Sequence, residues 1–191
     1  STGKMGYAIA ASLAQRGAEV TLVTGRTTLP TPQGVKRVDI LSAAQMYEAA
    51  VEAFATADGA IMCAAVADYT PATVAEHKIK KSDDDMAIEL VRTKDIAAAL
   101  GAVKGDRLLV GFALESDEGV KSAQSKLKRK NLDFIVLNSL TDKGAGFGVD
   151  TNKVTFIDNN GSQSLPLMSK SDVAESIVHK IEQHYAHPTQ R

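Results

Sequence analysis

The chain has 191 residues, with 22 basic and 23 acidic side chains and a formal net charge of -1. This balance argues against an electrostatic nucleic-acid-binding domain, which would be strongly basic, and no apolar run is long enough to cross a membrane. The hydrophobic content of 44% allows a substantial core, and this core must be mostly aliphatic because Trp is absent. The single Cys63 excludes an internal disulfide and a cysteine-built zinc site. A lone cysteine also fits a reducing compartment, so we expect a cytoplasmic protein.

The first part of the chain predicts helices that alternate with apolar strands. Residues 3–16 favour a helix because their apolar side chains recur every three or four positions. Residues 19–24 and 35–40 read as strands, and residues 42–57 form an Ala-rich helix that begins at a capping serine. Residues 59–66 (GAIMCAAV) predict a strand that is apolar on both faces.

The alternation continues through the middle of the chain. Residues 86–91 predict a weak strand and residues 95–100 a short helix. Residues 107–113 (RLLVGFA) and 133–137 (DFIVL) predict buried strands, and the basic segment 118–131 between them predicts a helix.

The C-terminal part predicts a hairpin and a last helix. Asn159-Asn160-Gly161 supplies the backbone conformation that tight turns need, so residues 153–158 and 164–167 are expected to pair as antiparallel strands. Residues 171–185 form an amphipathic helix.

Strands that are apolar on both faces and are separated by helix-length connectors indicate an α/β fold. We expect a doubly wound, Rossmann-like, mostly parallel sheet with helices on both faces and a C-terminal antiparallel hairpin. Such a sheet usually begins with a strand, whereas this sequence begins at a strand-to-helix turn. We therefore expect one nucleotide-binding domain over residues 1–191 that lacks its first strand and the loop before Ser1.

The opening segment STGKMG (1–6) places two glycines and two hydroxyl groups at a helix start. Free backbone N–H groups and the positive end of the helix dipole favour an anion there. The segment is not a P-loop, because Met5 follows Lys4 where Ser or Thr is required. An ordinary glycine-containing turn explains the pattern as well as a phosphate site does.

Ala64 to Asp68 follow the most apolar strand at its carboxyl end, where ligands bind in open α/β sheets. Small side chains let a ligand approach the backbone, and the Asp68 carboxylate can accept hydrogen bonds from hydroxyl groups. The alternative is that Asp68 only caps the next turn.

Two lysine clusters are candidates for binding phosphate. Lys78, Lys80 and Lys81 lie in a long loop, and Lys126 and Lys130 share one face of the basic helix. Each cluster could equally be a solvated surface, so the two interpretations stay open.

The remaining motifs favour structural roles. Gly144 to Gly148 precede a strand rather than a helix and are interpreted as a flexible loop. Cys63 lies inside an apolar strand and is interpreted as an inert thiol. The histidines lack a second His or Cys at ligand spacing, so no protein metal site is predicted. They are His77, His179, His184 and His187.

Taken together, these segments resemble the phosphopantothenate–cysteine ligase family, in its bacterial form. The similarity runs in family order over nearly the whole chain. The segments that carry it are STGKMG (1–6), LPTP (29–32), VKRVD (35–39), CAAVADY (63–69), KIKK (78–81), VGFALE (110–115), KNLD (130–133) and GFGVDTN (146–152).

The resemblance implies a ligase of coenzyme A biosynthesis. The carboxylate of 4′-phosphopantothenate attacks the α-phosphate of CTP, which gives an acyl-cytidylate and pyrophosphate, and the L-cysteine amine then releases CMP. Mg²⁺ is expected on the triphosphate. A homodimer is expected, as is fusion in the full-length protein to an N-terminal FMN-dependent decarboxylase.

The resemblance also assigns roles to individual residues. Lys78 matches a lysine that acts on the acyl-cytidylate, with Lys80 and Lys81 in the same flap. Ala64, Ala65 and Asn138 match substrate-binding positions. The nucleotide-binding positions implied are Gly3, Gly6, Met62, Cys63, Ala64, Asp68, Lys78, Lys94, Asp95, Ile96, Ala97, Phe112, Lys126 and Lys130.

The sequence departs from the family pattern at two places. The family often has Pro at the position of Lys94, and its catalytic Asn would stand two residues before Ser1. A nucleotide-binding but inactive module therefore remains an alternative. A nicotinamide-dependent oxidoreductase is a second alternative, but none of the four tyrosines has a lysine four residues later, as the short-chain enzymes of that class require.

Overall fold

The protein's architecture is described from a computed structural model over residues 2–80, 85–115, 119–139 and 149–186. Its helices are α1 (Lys4–Gln15), α2 (Ala43–Phe54), α3 (Ile96–Val103), α4 (Gly119–Arg129) and α5 (Lys170–Ala186). Its longer strands are β1 (Val20–Thr24), β2 (Val35–Asp39), β3 (Gly59–Met62), β6 (Leu108–Glu115), β7 (Phe134–Ser139), β9 (Val154–Asp158) and β10 (Gly161–Ser164). Its shorter strands are β4 (Tyr69–Pro71), β5 (Leu90–Arg92), β8 (Thr151–Asn152) and β11 (Met168–Ser169).

A five-stranded sheet with the order β10-β9-β7-β6-β3 forms the centre of the fold. Strands β3, β6 and β7 are parallel, whereas β9 and β10 run antiparallel at the other edge. Strands β1 and β2 form a separate parallel pair. The predicted α/β class, with a mostly parallel sheet and a C-terminal antiparallel hairpin, is confirmed.

The core lies in two layers, one on each face of the sheet. Alternate residues of each strand point to opposite faces, so Leu109 and Ile135 join one cluster while Val110 and Val136 join the other. The first cluster packs under α2, α3 and α4, and the second packs under α1 and α5. This arrangement explains why the strand sequences are apolar on both faces.

A wide groove separates β1 from β3. Residues of both strands line it together with residues of α1 and α2, and its volume is about 2150 Å³. No strand of the described ranges pairs with the second edge of either β1 or β3. All four residues of β3 are only half-buried, unlike the fully buried Leu109 and Val110 in the adjacent β6.

A buried ion pair joins the end of α3 to the start of β7. Lys104 Nζ lies 2.5 Å from Asp133 Oδ2, and the two side chains are 1% and 7% exposed. The same carboxylate oxygen accepts a hydrogen bond from the Leu109 backbone N–H at 2.7 Å. Because removal of either charge would leave the other unpaired in the core, this pair fixes α3 relative to the sheet.

Two predicted strands differ from the structure. The strand predicted at residues 59–66 ends at Met62, because the chain turns there and the Cys63 N–H bonds to the Ile61 carbonyl. The segment predicted as a strand at 86–91 pairs only over Leu90–Arg92, and its partner is β4 rather than the parallel sheet. Strands β4 and β5 form an exposed arm on which the apolar residues Tyr69, Leu90 and Val91 are each about half exposed.

The C-terminal hairpin forms at the predicted turn but with a different second strand. Gly161 pairs directly with Asp158, so Asn159 and Asn160 alone make the turn and β10 runs over 161–164 rather than 164–167. Gly161 has a φ of 141°, a conformation that glycine adopts without strain. The prediction located the turn correctly, but it counted Gly161 as a turn residue and placed the following strand three residues too late.

Across the described ranges, no helix combines the length and apolar character that crossing a bilayer requires.

Candidate functional site

The candidate site is the part of the groove at the carboxyl ends of β3 and β6. These two strands are parallel, so their carboxyl ends meet at one edge of the sheet, beside the N-terminus of α1. This is the edge at which open α/β sheets bind ligands.

The N-terminus of α1 has the features of an anion-binding turn. Gly3 precedes the helix with a φ of 80°, which a residue with a side chain rarely adopts. The first turn has no acidic residue and no side-chain cap, and it begins with Lys4. The Gly6 position faces Cys63, since a Cβ built on Gly6 would lie 3.9 Å from the Cys63 Cβ and Sγ atoms. The turn therefore meets the end of β3.

The segment after β3 is held next to the segment before α3. The Thr93 N–H donates to the Asp68 carbonyl at 3.0 Å, and the Thr93 hydroxyl donates to the Ala67 carbonyl at 2.6 Å. Ala64, Ala65 and Asp68 are exposed, so their backbone and side-chain groups are open to a ligand. The two hydrogen bonds bring Asp68 close to the segment that begins at Lys94.

Asp95 has two structural tasks in this site. Its Oδ1 atom accepts the Ala98 N–H at 3.0 Å and so caps α3, and its Oδ2 atom lies 2.9 Å from Lys130 Nζ. Burial alone would raise the pKa of Asp95, but the Ala98 N–H and the Lys130 ammonium bring that pKa below its ordinary value. Asp95 is therefore ionised at neutral pH and links α3 to the basic end of α4.

Two tyrosine rings lie beneath cations of the groove lining, Tyr69 within the lining and Tyr47 outside it. The Lys94 ammonium lies 4.7 Å from the centre of the Tyr47 ring, and the Arg92 guanidinium lies 5.9 Å from the centre of the Tyr69 ring. Such pairs contribute modestly at exposed sites. The Tyr69 ring gives this wall of the groove a flat apolar surface flanked by positive charge.

The structure brings most of the predicted site residues to one groove. Those that line it are Gly3, Gly6, Met62, Cys63, Ala64, Ala65, Asp68, Lys94, Asp95, Ile96, Ala97, Phe112, Lys126 and Lys130. They come from segments that are far apart in sequence, so their assembly is a property of the fold.

Four predicted residues are not part of this lining. Lys78 and Lys80 are exposed beyond β4 and do not line the groove, and Lys81 lies outside the described residues. Asn138 is buried at the end of β7, and its Oδ1 atom has no hydrogen-bond partner in the described part of the chain.

Cys63 lines the groove but is a poor nucleophile. Desolvation raises the pKa of its thiol to about 12, and the opposing effect of the nearby Lys170 ammonium is smaller. The thiol is therefore protonated at neutral pH, in agreement with the predicted inert role. Within the described ranges, no three His, Cys, Asp or Glu side chains are grouped to hold a metal ion.

The structure adds groove residues that sequence reasoning did not select. Tyr7 and Arg129 line the groove, and Arg92 and Tyr69 form one of its cation–ring pairs. Arg129 could have been selected from the sequence, because it belongs to the run of basic residues at 121–130. The aromatic residues could not have been selected from the sequence, because their positions depend on how α1 and the arm pack.

A comparison with protein families identifies the family of this chain. Residues 1–185 match the family described as "DNA/pantothenate metabolism flavoprotein C-terminal domain". The chain belongs to this family.

Individual relatives agree with this membership. A protein from an unknown prokaryotic organism, named cysteine/cysteine sulfinic acid decarboxylase, is 54% identical over 95% of this chain and 51% of its own length. The coenzyme A biosynthesis bifunctional protein CoaBC of Bacillus subtilis (strain 168) is 47% identical over 95% of this chain and 45% of its own length. The chain thus spans about half the length of these relatives.

Solved structures show the same fold. The C-terminal domain of a coenzyme A biosynthesis bifunctional protein CoaBC matches with a TM-score of 0.82 and 40% identity, over 97% of this chain and 84% of that one. A Cab2 variant in complex with phosphopantothenate-cysteine matches with a TM-score of 0.81 over 100% of this chain and 81% of that one. It is only 15% identical and so supports the fold alone.

Proposed function

We propose that the chain is a ligase domain that joins 4′-phosphopantothenate to L-cysteine, with CTP as the co-substrate. Membership of the pantothenate-metabolism family and the similarity to CoaBC proteins support the ligase and its place in coenzyme A biosynthesis. The observation that carries the proposal is the gathering of the predicted nucleotide-binding residues other than Lys78 around one groove.

The first step would be transfer of a cytidylyl group. A carboxylate oxygen of 4′-phosphopantothenate attacks the α-phosphorus of CTP, a P–O bond forms, and the bond to the departing pyrophosphate breaks. Both reactants are anions, so cations must surround the phosphates. Lys126, Arg129 and Lys130 line the groove on one side, and the α1 turn offers backbone N–H groups on the other.

The second step would form the amide. The cysteine amine attacks the acyl carbon and a C–N bond forms. The C–O bond between the acyl carbon and the cytidylate breaks, so CMP leaves with that bridging oxygen, and the nitrogen loses a proton. Asp68 is an exposed carboxylate beside Ala64 and Ala65 and is suited to the nucleotide hydroxyls. Mg²⁺ would be carried by the triphosphate, which binds this ion through its own oxygens.

The proposal includes partners of the whole protein. The chain spans about half of the CoaBC relatives, which are named as bifunctional proteins, and this supports fusion to an N-terminal FMN-dependent decarboxylase in the full-length protein. The exposed apolar arm of β4 and β5 supports a homodimer.

The proposal is tested by incubating the protein with 4′-phosphopantothenate, L-cysteine, Mg²⁺ and either CTP, ATP or NADPH. We expect CMP, pyrophosphate and 4′-phosphopantothenoylcysteine in equal amounts with CTP, measured by mass spectrometry. Turnover with ATP but not CTP would contradict the nucleotide assignment. Thermal stabilisation by NADPH alone would contradict the ligase.

The role proposed for Lys78 has its own test. Lys78→Gln should slow amide formation more than cytidylyl transfer, so the acyl-cytidylate should accumulate in a quenched reaction. Lys36→Gln, a change at an exposed lysine of β2, serves as the matched control. Equal rates for Lys78→Gln and the unaltered protein would remove Lys78 from the mechanism.

A further inference from the structure

Lys170 is a lysine with an unusual setting. It is the first residue of α5 and only 9% exposed, although lysine is rarely buried to this extent. Burial of an ammonium group carries a substantial desolvation cost, so such a group usually has a structural or functional reason to be there.

Lys170 holds a short segment of backbone through two hydrogen bonds. Its Nζ atom donates to the Val149 carbonyl at 2.5 Å, and its backbone N–H donates to the Asp150 carbonyl at 2.9 Å. Residues 149 and 150 are thereby fixed against the start of α5.

The fixed segment in turn contacts the proposed phosphate-binding turn. The Asp150 carboxylate accepts a hydrogen bond from Lys4 Nζ at 2.6 Å. The Lys4 and Asp150 side chains are 38% and 85% exposed, so this ion pair contributes little to folding stability. Its effect is to restrain a long, flexible side chain at the N-terminus of α1.

Electrostatics support a role in ligand binding rather than in folding. The groups that face Lys170 are Lys4 on α1, Asp150 before β8 and Cys63 after β3. Desolvation, followed by repulsion from Lys4, lowers the pKa of Lys170. The Lys4 ammonium belongs to the first residue of α1 and the Lys170 ammonium to the first residue of α5. Their mutual repulsion adds to the repulsion from the positive ends of the two helix dipoles, and a bound polyphosphate would relieve it.

We propose that Lys170 is a positioning residue for the phosphate-binding turn, acting through residues 149–150 on Lys4. The inference rests on the proposed function, because that function assigns the α1 turn to the nucleotide phosphates. Lys170 itself need not touch the ligand. It limits the positions of the Lys4 ammonium to those near the turn, which reduces the entropy lost when the phosphates bind.

The experiment is a double-mutant cycle on inorganic tripolyphosphate binding, measured by calorimetry. We expect Lys4→Met and Lys170→Met each to weaken binding about tenfold. In the double variant we expect no loss beyond that of Lys4→Met, because Lys170 acts through Lys4. Lys170→Arg, which keeps the charge and the donors, should recover most of the affinity.

The control is Lys180→Met, which removes a lysine of the same helix that pairs with Asp158 instead. It should lower the thermal midpoint and leave tripolyphosphate binding unchanged. Additive losses of tripolyphosphate affinity in the double variant would contradict the proposal that Lys170 acts through Lys4. Unchanged binding by Lys4→Met would contradict it as well, and this variant should fold normally because the Lys4 side chain is partly exposed. Because the probe lacks a base and a reacting group, tripolyphosphate binding can fail or succeed independently of CTP turnover.

Discussion

Asp158 makes a pH-dependent contribution to stability. It lies at the end of β9, where its carboxylate contacts Lys180 Nζ at 2.8 Å and accepts the Asn160 N–H at 2.8 Å. Burial alone would raise the pKa of Asp158, but the Lys180 hydrogen bond and the turn N–H groups bring that pKa below its ordinary value. The folded state therefore binds this proton less readily than the unfolded chain does.

Asp158→Asn should lower the thermal midpoint near neutral pH, because the amide cannot replace the ion pair. A depressed carboxyl pKa gives stability that is complete above the unfolded pKa of about 3.9 and is lost as the pH falls through the folded pKa. The midpoints of the variant and the unaltered protein should therefore converge below pH 4. If the two thermal midpoints differ by the same amount from pH 7 to pH 3, ionisation of Asp158 does not cause the difference in stability.

Single-residue roles were predictable only where they follow from local sequence. Ser42 was predicted to cap α2, and its hydroxyl accepts the Gln45 N–H in a full capping box. The pairing of Asp95 with Lys130 was not predictable, because these residues are 35 positions apart and meet only when α3 and α4 pack side by side.

At the scale of elements, α3 and the end of α4 touch at Gly101. A Cβ built on Gly101 would lie 2.0 Å from the Lys130 carbonyl oxygen, so no side chain fits there. Asn131, with a φ of 52°, donates its side-chain amide to the Gly101 carbonyl at 2.9 Å. This contact sets the distance between the two segments that carry Lys94 and Lys130.

Gly101→Ala should therefore disturb the site as well as the fold. We expect a loss of roughly 1–3 kcal/mol in the free energy of unfolding, as for other overpacked positions, measured by urea denaturation. Nucleotide affinity should fall in the same variant because Lys130 must move. Gly25→Ala is the stability control, since a Cβ there would meet nothing within 4 Å. Equal stability of the two variants would contradict the close packing.

The elements themselves were largely predictable, and the errors have physical causes. Apolar runs and helical periodicity identified β3, β6, β7 and β9 of the central sheet and all five helices of the described ranges, whereas β10 was misplaced by three residues. The run 59–66 was predicted too long because Ala and Val continue past the point where β3 has a partner. The pairing of β4 with β5 was not expected, because exposed strands lack the apolar pattern that reveals buried ones.

At the scale of the whole molecule, the arm of β4 and β5 carries apolar side chains that the described chain does not cover. Tyr69, Leu90 and Val91 are 51%, 55% and 43% exposed. Apolar surface concentrated on one arm is typical of an interaction site, and the proposed homodimer would cover it.

Leu90→Asp should weaken the dimer by about 2 kcal/mol or more, as expected for a charge placed in an apolar interface. The measurement is sedimentation equilibrium over a range of protein concentrations. Leu41→Asp is the matched control, because Leu41 is 69% exposed but lies before α2 and is not part of the arm. A monomeric unaltered protein, or equal association of both variants, would exclude the arm as the interface.

The sequence was sufficient to predict many of the residues that line the groove, but not all of the candidate site. The residues predicted to bind nucleotide, with the exception of Lys78, line one groove, because the carboxyl ends of parallel strands must meet at one edge. The positions of Lys78 and Asn138 relative to that groove were not predictable, since they depend on the course of the arm and on the depth at which β7 ends.

The strand order of the central sheet also has a consequence for hydrogen exchange. Strand β6 is hydrogen-bonded on both sides, to β3 and β7, whereas β10 pairs only with β9 in the described ranges. Deuterium should therefore enter the outer edge of β10 through local fluctuations, while β6 should exchange only when the whole domain unfolds. One sheet would thus report two different opening free energies, a low one at its antiparallel edge and a high one at its parallel centre.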